Sequence, residues 1–290
     1  MKRREFLAGM AAMVTLSEAK GPISAPSAAL RPQGDIAKAR LDRIGIQLYT
    51  VREELKKNVE GTLARLAQIG FKEVEFAGYP EGTAQSLRKM LDRHGLTAPS
   101  SHLGFSTLRG DWDRHLDQAA TLGQRYVVVP SVPGSQRRTL DDWKRVAALF
   151  NKSGETSKAR GIQFAYHNHE DEFVPIESKV PYDLLLAETD PKLIALELDL
   201  YWITKAGRDP LAYFAKWPGR FPIVHVKDMD STPRRFFSPL GRGTIDFARI
   251  FRQARQAGIK HYFYEQDETE GSPFDSAKVS YEYLKNLRFS

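Results

Sequence analysis

"IVHVKDM" (223–229) is an apolar run that finishes in a histidine, a lysine and an aspartate. Two other segments end the same way: "FAYHNHEDEF" (164–173) and "IALELDLYW" (194–202). A strand that reads as a continuous apolar run is covered on both faces. Ionisable groups at its end must therefore meet partners or form a site, because unpaired charge does not survive burial.

Working outward from these three segments, the chain keeps one beat from Leu41 onward. "RIGIQLYT" (43–50) is strand-like, and "NVEGTLARLAQIG" (58–70) has helical apolar spacing and stops at Gly70. "FKEVEFAG" (71–78), "LTAPSSHLG" (96–104), "RYVVVPSV" (125–132), "IQFAYHNH" (162–169) and "IKHYFYEQD" (259–267) are further strands, each preceded and followed by a helical pattern. "IDFARIFRQARQAG" (245–258) reads as one of those helices. Eight strand–helix units in about 245 residues predict a single-domain α/β protein, a (β/α)8 TIM barrel over residues 41–290. A doubly wound open sheet is the alternative. It lacks its usual mark, because no G-x-G-x-x-G follows the first strand.

Composition narrows the chemistry. The chain has 290 residues, a net charge of +7 and no cysteine. Disulfides, thiolate nucleophiles and zinc–thiolate sites are excluded, so any metal must be held by His, Asp, Glu or other oxygens. Lysines and arginines are scattered, which argues against a nucleic-acid partner. The first thirty residues, "MKRREFLAGMAAMVTLSEAKGPISAPSAAL", place Arg3 and Arg4 before a short apolar run. This pattern predicts a twin-arginine-like signal peptide and linker over residues 1–35, and with it a periplasmic protein with no stable membrane anchor after cleavage. An amphipathic N-terminal helix is the competing reading. Cleavage after Ala19 and cleavage near Ala28–Ala29 are both open, as is assembly into a homo-oligomer.

Barrel enzymes carry their chemistry at the C-terminal ends of the strands. There the sequence places Glu75, His102, His167 with His169, Asp199, His225 with Lys227, and Glu265 with Asp267. Residues i and i+2 share a strand face, so each of these pairs points the same way. A ring of histidines and carboxylates suits one divalent ion of the Mn, Fe, Co, Ni or Zn kind better than Mg or Ca. Singly, each has a plainer reading: Asp199 as a helix cap, His225 as a core histidine, Lys227 as the counter-ion of Asp228 or Glu265. His94, His115 and His261 receive no role.

"YHNHEDEF", "LDLYW" with "AGRDP", "HVKDM", "GRGTIDF" and "YFYEQD" together resemble the xylose isomerase-like barrel superfamily, in its sugar phosphate isomerase/epimerase branch. The likeness covers roughly residues 41–288. It implies metal ligands at His167, Asp199, His225 and Glu265. It also implies proton abstraction next to a carbonyl through an enediolate, with Glu265 or His169 as base and Lys227 as acid. Glu75, His102 and Trp202 are then contacts to a sugar or keto-sugar. One departure stands out: many members of the branch have glutamate where His167 stands, and two-glutamate epimerisation is in doubt here. Isomerase/epimerase is the first reading. A lyase or dehydratase on keto-sugars is the second, and a sugar-binding protein without turnover or a nuclease of abasic sites is more remote. "PLGRG" (239–243) is the one candidate phosphate cradle.

Overall fold

The computed structural model describes residues 39–289. The signal peptide and linker expected over residues 1–35 lie outside them. Eight parallel strands close into a barrel: β1 (Gly45–Gln47), β2 (Glu73–Ala77), β3 (Thr97–His102), β4 (Tyr126–Val129), β5 (Gln163–His167), β6 (Ile194–Asp199), β7 (Ile223–Val226) and β10 (His261–Tyr264). The expected TIM barrel is the observed fold, and the open sheet is ruled out by the pairing of β1 with β10.

Two apolar clusters explain why the strands read as they do. Outward-facing residues such as Val74, Phe164, Leu196 and Val224 pack against the helices in one continuous core. Inward-facing Tyr126, Val128, Ala165, Ala195, Ile223 and Phe263 form a second, separate cluster inside the lumen. This second cluster is the floor of the site. Gly45 is required by it, because a Cβ there would overlap the ring of Phe263. One step further along the same faces the lumen turns polar, with Glu75, His167, Glu197 and His225 all buried. Parity alone produces this change: Ala195, Glu197 and Asp199 alternate along one face of β6, and Ile223 and His225 along one face of β7.

The helices stop where the sequence says they should. Val59–Ile69 ends on Gly70 and Trp112–Leu122 on Gly123, both at positive φ. Ala84–Arg93 and Leu140–Ala159 begin with capping boxes, Thr83 with Ser86 and Thr139 with Asp142. The helix expected over 245–258 is instead two short pieces, Phe247–Phe251 and Ala254–Ala257, a break that no contact explains.

The seventh strand ends earlier than its apolar run suggests, and here the reason is clear. Barrel pairing stops at Val226, and Asp228–Met229 (β8) pairs antiparallel with Phe237–Ser238 (β9) in a small ribbon beside the mouth. The Asp228 carboxylate drives this turn. It accepts hydrogen bonds from the backbone N–H of Met229 at 2.9 Å, Gly241 and Gly243 at 3.0 Å and Ile245 at 3.2 Å. A buried carboxylate with four such donors is satisfied and gathers the whole 228–245 excursion around itself. Gly243 has no room for a Cβ against this carboxylate. We expect Asp228→Ala to cost about 2 kcal/mol in urea unfolding, by orphaning buried amides. The Gly241 and Gly243 amides should then exchange with deuterium much faster. Unchanged exchange at both amides would show that something else holds the excursion.

Candidate functional site

Strand ends and the loops after them build the site. Asp199 closes β6 and caps the helix Leu200–Lys205, its Oδ1 accepting from Tyr201 N at 2.9 Å and Trp202 N at 3.0 Å. Its amide is held in turn by the Asn168 side chain at 3.0 Å. With Oδ1 fixed, Oδ2 points into the lumen, fully buried, with the Lys227 ammonium 3.1 Å away. His167 Nε2 lies 3.8 Å from that oxygen and His225 Nδ1 lies 4.0 Å from it. His225 Nδ1 is also 2.7 Å from Glu265 Oε2. The plain reading of Asp199 as a cap is correct for Oδ1, and Oδ2 is left facing His167, His225 and Lys227.

Lys227 sits directly beside this group. Its ammonium is 3.1 Å from Asp199, 2.9 Å from Glu265 and 2.7 Å from Asp267. Burial opposes its charge, but these three carboxylates overcome burial and push its pKa well above the ordinary lysine value. Asp228 takes no part in pairing Lys227; its oxygens are spent on backbone amides. Burial raises the Glu265 carboxyl, yet Lys227 and His225 outweigh it and hold the group ionised. Asp267 keeps a raised pKa of about 6, because burial outweighs the pull of Lys227. His169 is lowered to about 4 by burial and by the neighbouring Lys227 charge, so it is a neutral imidazole at neutral pH.

One layer deeper lies a second group. Glu197 Oε2 is 2.7 Å from His102 Nε2, 3.0 Å from His167 Nδ1 and 3.2 Å from His225 Nε2. Glu75 Oε2 is 2.6 Å from His225 Nε2 and receives Gln47 Nε2 at 2.8 Å. Glu75 is enclosed at this level and does not line the cavity above, so the structure does not place it where a sugar hydroxyl would reach. His102 does line that cavity, as do His167, His169, Lys227, Glu265 and Asp267. The cavity measures about 360 Å³, within the range of small-molecule sites. Trp202 stands at its edge, ring centroid 5.4 Å from that of His169 and 5.9 Å from that of Phe237 on the ribbon. Its indole N–H has no partner.

Sequence reasoning missed Glu197. The parity rule that paired His225 with Lys227 also pairs Glu197 with Asp199, and "ELD" carried that signal. It assigned no role to Asp267, although Lys227 binds it as closely as it does Glu265. "PLGRG" is no phosphate cradle, since the Gly241 and Gly243 amides already serve Asp228. His261 starts β10 at the opposite end of the barrel, where it bonds Glu73 at 2.7 Å.

Among the described residues, two sets of side chains have ligand atoms grouped closely enough for one ion: Asp199, His225 and Glu265, and below them His102, His167, Glu197 and His225. Mixed imidazole and carboxylate donors, buried together at one level of the lumen, fit a divalent metal ion. This is a TIM barrel with a buried histidine–carboxylate cluster at the catalytic end of its strands. The family model for xylose isomerase-like TIM barrels matches residues 63–287, and the chain belongs to that family. It is 28% identical to a sugar phosphate isomerase/epimerase from Parabacteroides distasonis, with a TM-score of 0.74 over 88% of this chain and 98% of that one. It is 25% identical to an inosose dehydratase from Lacticaseibacillus casei over 272 residues, covering 80% of this chain and 91% of the relative. An L-ribulose 3-epimerase structure shares the fold at 21% identity, with a TM-score of 0.65 over 84% of this chain and 93% of that one.

The divided roles of the Asp199 oxygens give a clean test. Asp199→Asn keeps a capping oxygen and loses the anionic one. It should weaken Zn²⁺ or Co²⁺ binding at least tenfold, with a loss of stability that reports the carboxylate Lys227 no longer has rather than the cap. Asp199→Ala loses both functions and should also cost about 1 kcal/mol through the cap. Equal metal affinity in wild type and Asp199→Asn, by chelator competition, would remove Asp199 from the ligand set.

Proposed function

We propose that the protein is a divalent-metal-dependent sugar isomerase or epimerase that works by moving a proton next to a carbonyl. One observation carries this reading. A single cavity is walled by an ionised carboxylate (Glu265), a neutral imidazole (His169) and an ammonium (Lys227), beside a buried histidine–carboxylate cluster. His167, Asp199, His225 and Glu265 would hold the ion, which would supply Lewis-acid polarisation of adjacent substrate oxygens. Glu265 and His169 are the groups able to accept the carbon-bound proton, one as an ionised carboxylate and the other through the unprotonated nitrogen of a neutral imidazole. Lys227 is the group able to donate, and its positive charge stabilises the enediolate. Trp202 offers a ring edge for the sugar face, and His102 a hydrogen-bonding wall.

A second reading, elimination by a carbon–oxygen lyase, is favoured by a specific feature. His167 stands where a carboxylate would return a proton to the opposite face, and its Nδ1 is already committed to Glu197. Elimination needs only an acid beside the leaving oxygen, and Lys227 meets that need. The likeness to an inosose dehydratase supports the same outcome.

Incubating the metal-loaded enzyme in deuterated water with free ketoses and with 3-keto-glucosides separates the two, followed by NMR. Deuterium at the carbon next to the carbonyl, with inversion or carbonyl migration and every oxygen retained, is the expected result. A new enone or a released aglycone would replace the isomerase reading with the lyase. No exchange with any sugar, despite bound metal, would end both.

We also propose that the enzyme works in the periplasm, on the strength of the Arg3–Arg4 signal. Replacing both arginines with lysine should strand the precursor in the cytoplasm on fractionation. Export at the wild-type level would reject the twin-arginine route.

A further inference from the structure

We propose that Glu197, assisted by Glu75, is a positioning residue that dictates which ring nitrogen His167 and His225 present to the metal ion. The inference rests on the metal-binding reading of the site, but not on the choice of substrate or reaction.

The two histidines are used in opposite senses. His167 turns Nε2 toward Asp199 Oδ2 and Nδ1 down toward Glu197. His225 turns Nδ1 toward Asp199 and Glu265, and Nε2 down toward Glu75 and Glu197. An ionised carboxylate only accepts hydrogen bonds, so each ring nitrogen facing Glu197 carries hydrogen. The lower layer therefore makes His167 an Nδ1–H imidazole with a free Nε2. It makes His225 an Nε2–H imidazole once Nδ1 binds an ion. The hydrogen bond on one ring nitrogen sets the state of the other, and a carboxylate behind a ligating histidine also fixes ring orientation and raises basicity. Glu197 reaches both ligand histidines and His102 with a single oxygen, whereas Glu75 reaches only His225 and His102.

Burial supports a role beyond packing. Glu197 is 0% exposed, and below it on the same face stands Ala195 in the apolar floor. A carboxylate in this setting loses several kcal/mol of hydration, and an apolar side chain of similar volume is commonly as stable or more so. What an apolar residue does not provide is a hydrogen-bond acceptor for three imidazoles.

The test combines metal affinity with histidine tautomers, measured on the purified protein. Zn²⁺ and Co²⁺ are titrated against a chromophoric chelator for wild type, Glu197→Gln and Glu75→Gln. Histidine side chains are followed by ¹⁵N NMR, with assignments from His167→Gln and His225→Gln. Glu197→Gln is expected to weaken metal binding about 10- to 100-fold. Glu75→Gln is expected to weaken it less, since His225 Nε2 keeps Glu197 within reach. Wild type without metal should show His167 protonated at Nδ1, and with Zn²⁺ should show His225 protonated at Nε2 alone. Affinity within twofold of wild type in Glu197→Gln, or His167 protonated at Nε2 in wild type, would overturn the proposal. If Glu197→Gln does not fold, the wild-type spectra still decide. A wild type that takes up no divalent metal overturns it together with the metal reading. Metal uptake with the expected tautomers but no turnover of any sugar supports it while rejecting the proposed reaction.

Discussion

An ammonium held between three carboxylates governs this barrel. Lys227 is 1% exposed, and in that setting an unpaired charge on it, or on Asp199, Glu265 or Asp267, would cost several kcal/mol. None can be placed without the others. Their common position depends on β6, β7 and β10 reaching the same height around the lumen. The parallel register sets that height, with Asp199 opposite His225 across β6 and β7, and Phe263 opposite His225 across β7 and β10. The apolar floor of Phe263, Ile223, Ala195 and Ala165 keeps water from beneath. This low-dielectric setting strengthens every contact above it.

Function and stability draw on different layers of the same strands. Outward-facing residues pack the helices and would serve any barrel of this size. Inward-facing residues switch from apolar to ionisable within two residues on β6 and β7. That switch is a local destabilisation which a purely structural barrel has no reason to keep. The helix Leu200–Lys205 and the β8–β9 ribbon then wall the mouth, and both are tethered by carboxylates, Asp199 for the helix and Asp228 for the ribbon. The two tethering aspartates thus differ sharply in role. Asp228 stiffens a loop through its own backbone, while Asp199 divides its two oxygens between a cap and the site.

Much of this was legible in the chain. The strand–helix beat and the glycine stops define the barrel, and strand parity brings His167, Asp199, His225, Lys227 and Glu265 to one end. Depth was not legible. Glu75 and Glu197 sit on the correct faces, but whether such a residue touches the cavity or lies one layer beneath it depends on strand tilt and stagger around the closed barrel. Glu197 was hidden for a further reason: "LELDL" reads as a buried strand in which one carboxylate already explains the pattern. The early end of β7 was hidden because its cause is non-local. Asp228 leaves the barrel for amides thirteen to seventeen residues downstream, and no periodicity encodes that choice.

Charge in the cavity also bears on what enters it. Among the residues lining it, Lys227 is the one lysine or arginine, and its ammonium is already shared by three carboxylates. A phosphorylated sugar would bring about two negative charges into this space, where the described lining residues offer no lysine or arginine besides Lys227. "PLGRG", the segment best suited to that task by composition, spends its amides on Asp228. An uncharged sugar meets no such conflict. Its hydroxyls need hydrogen-bonding groups, and His102 and His169 line the cavity, with Trp202 packed beside His169. On this electrostatic ground the cavity suits an uncharged ligand better than a doubly negative one.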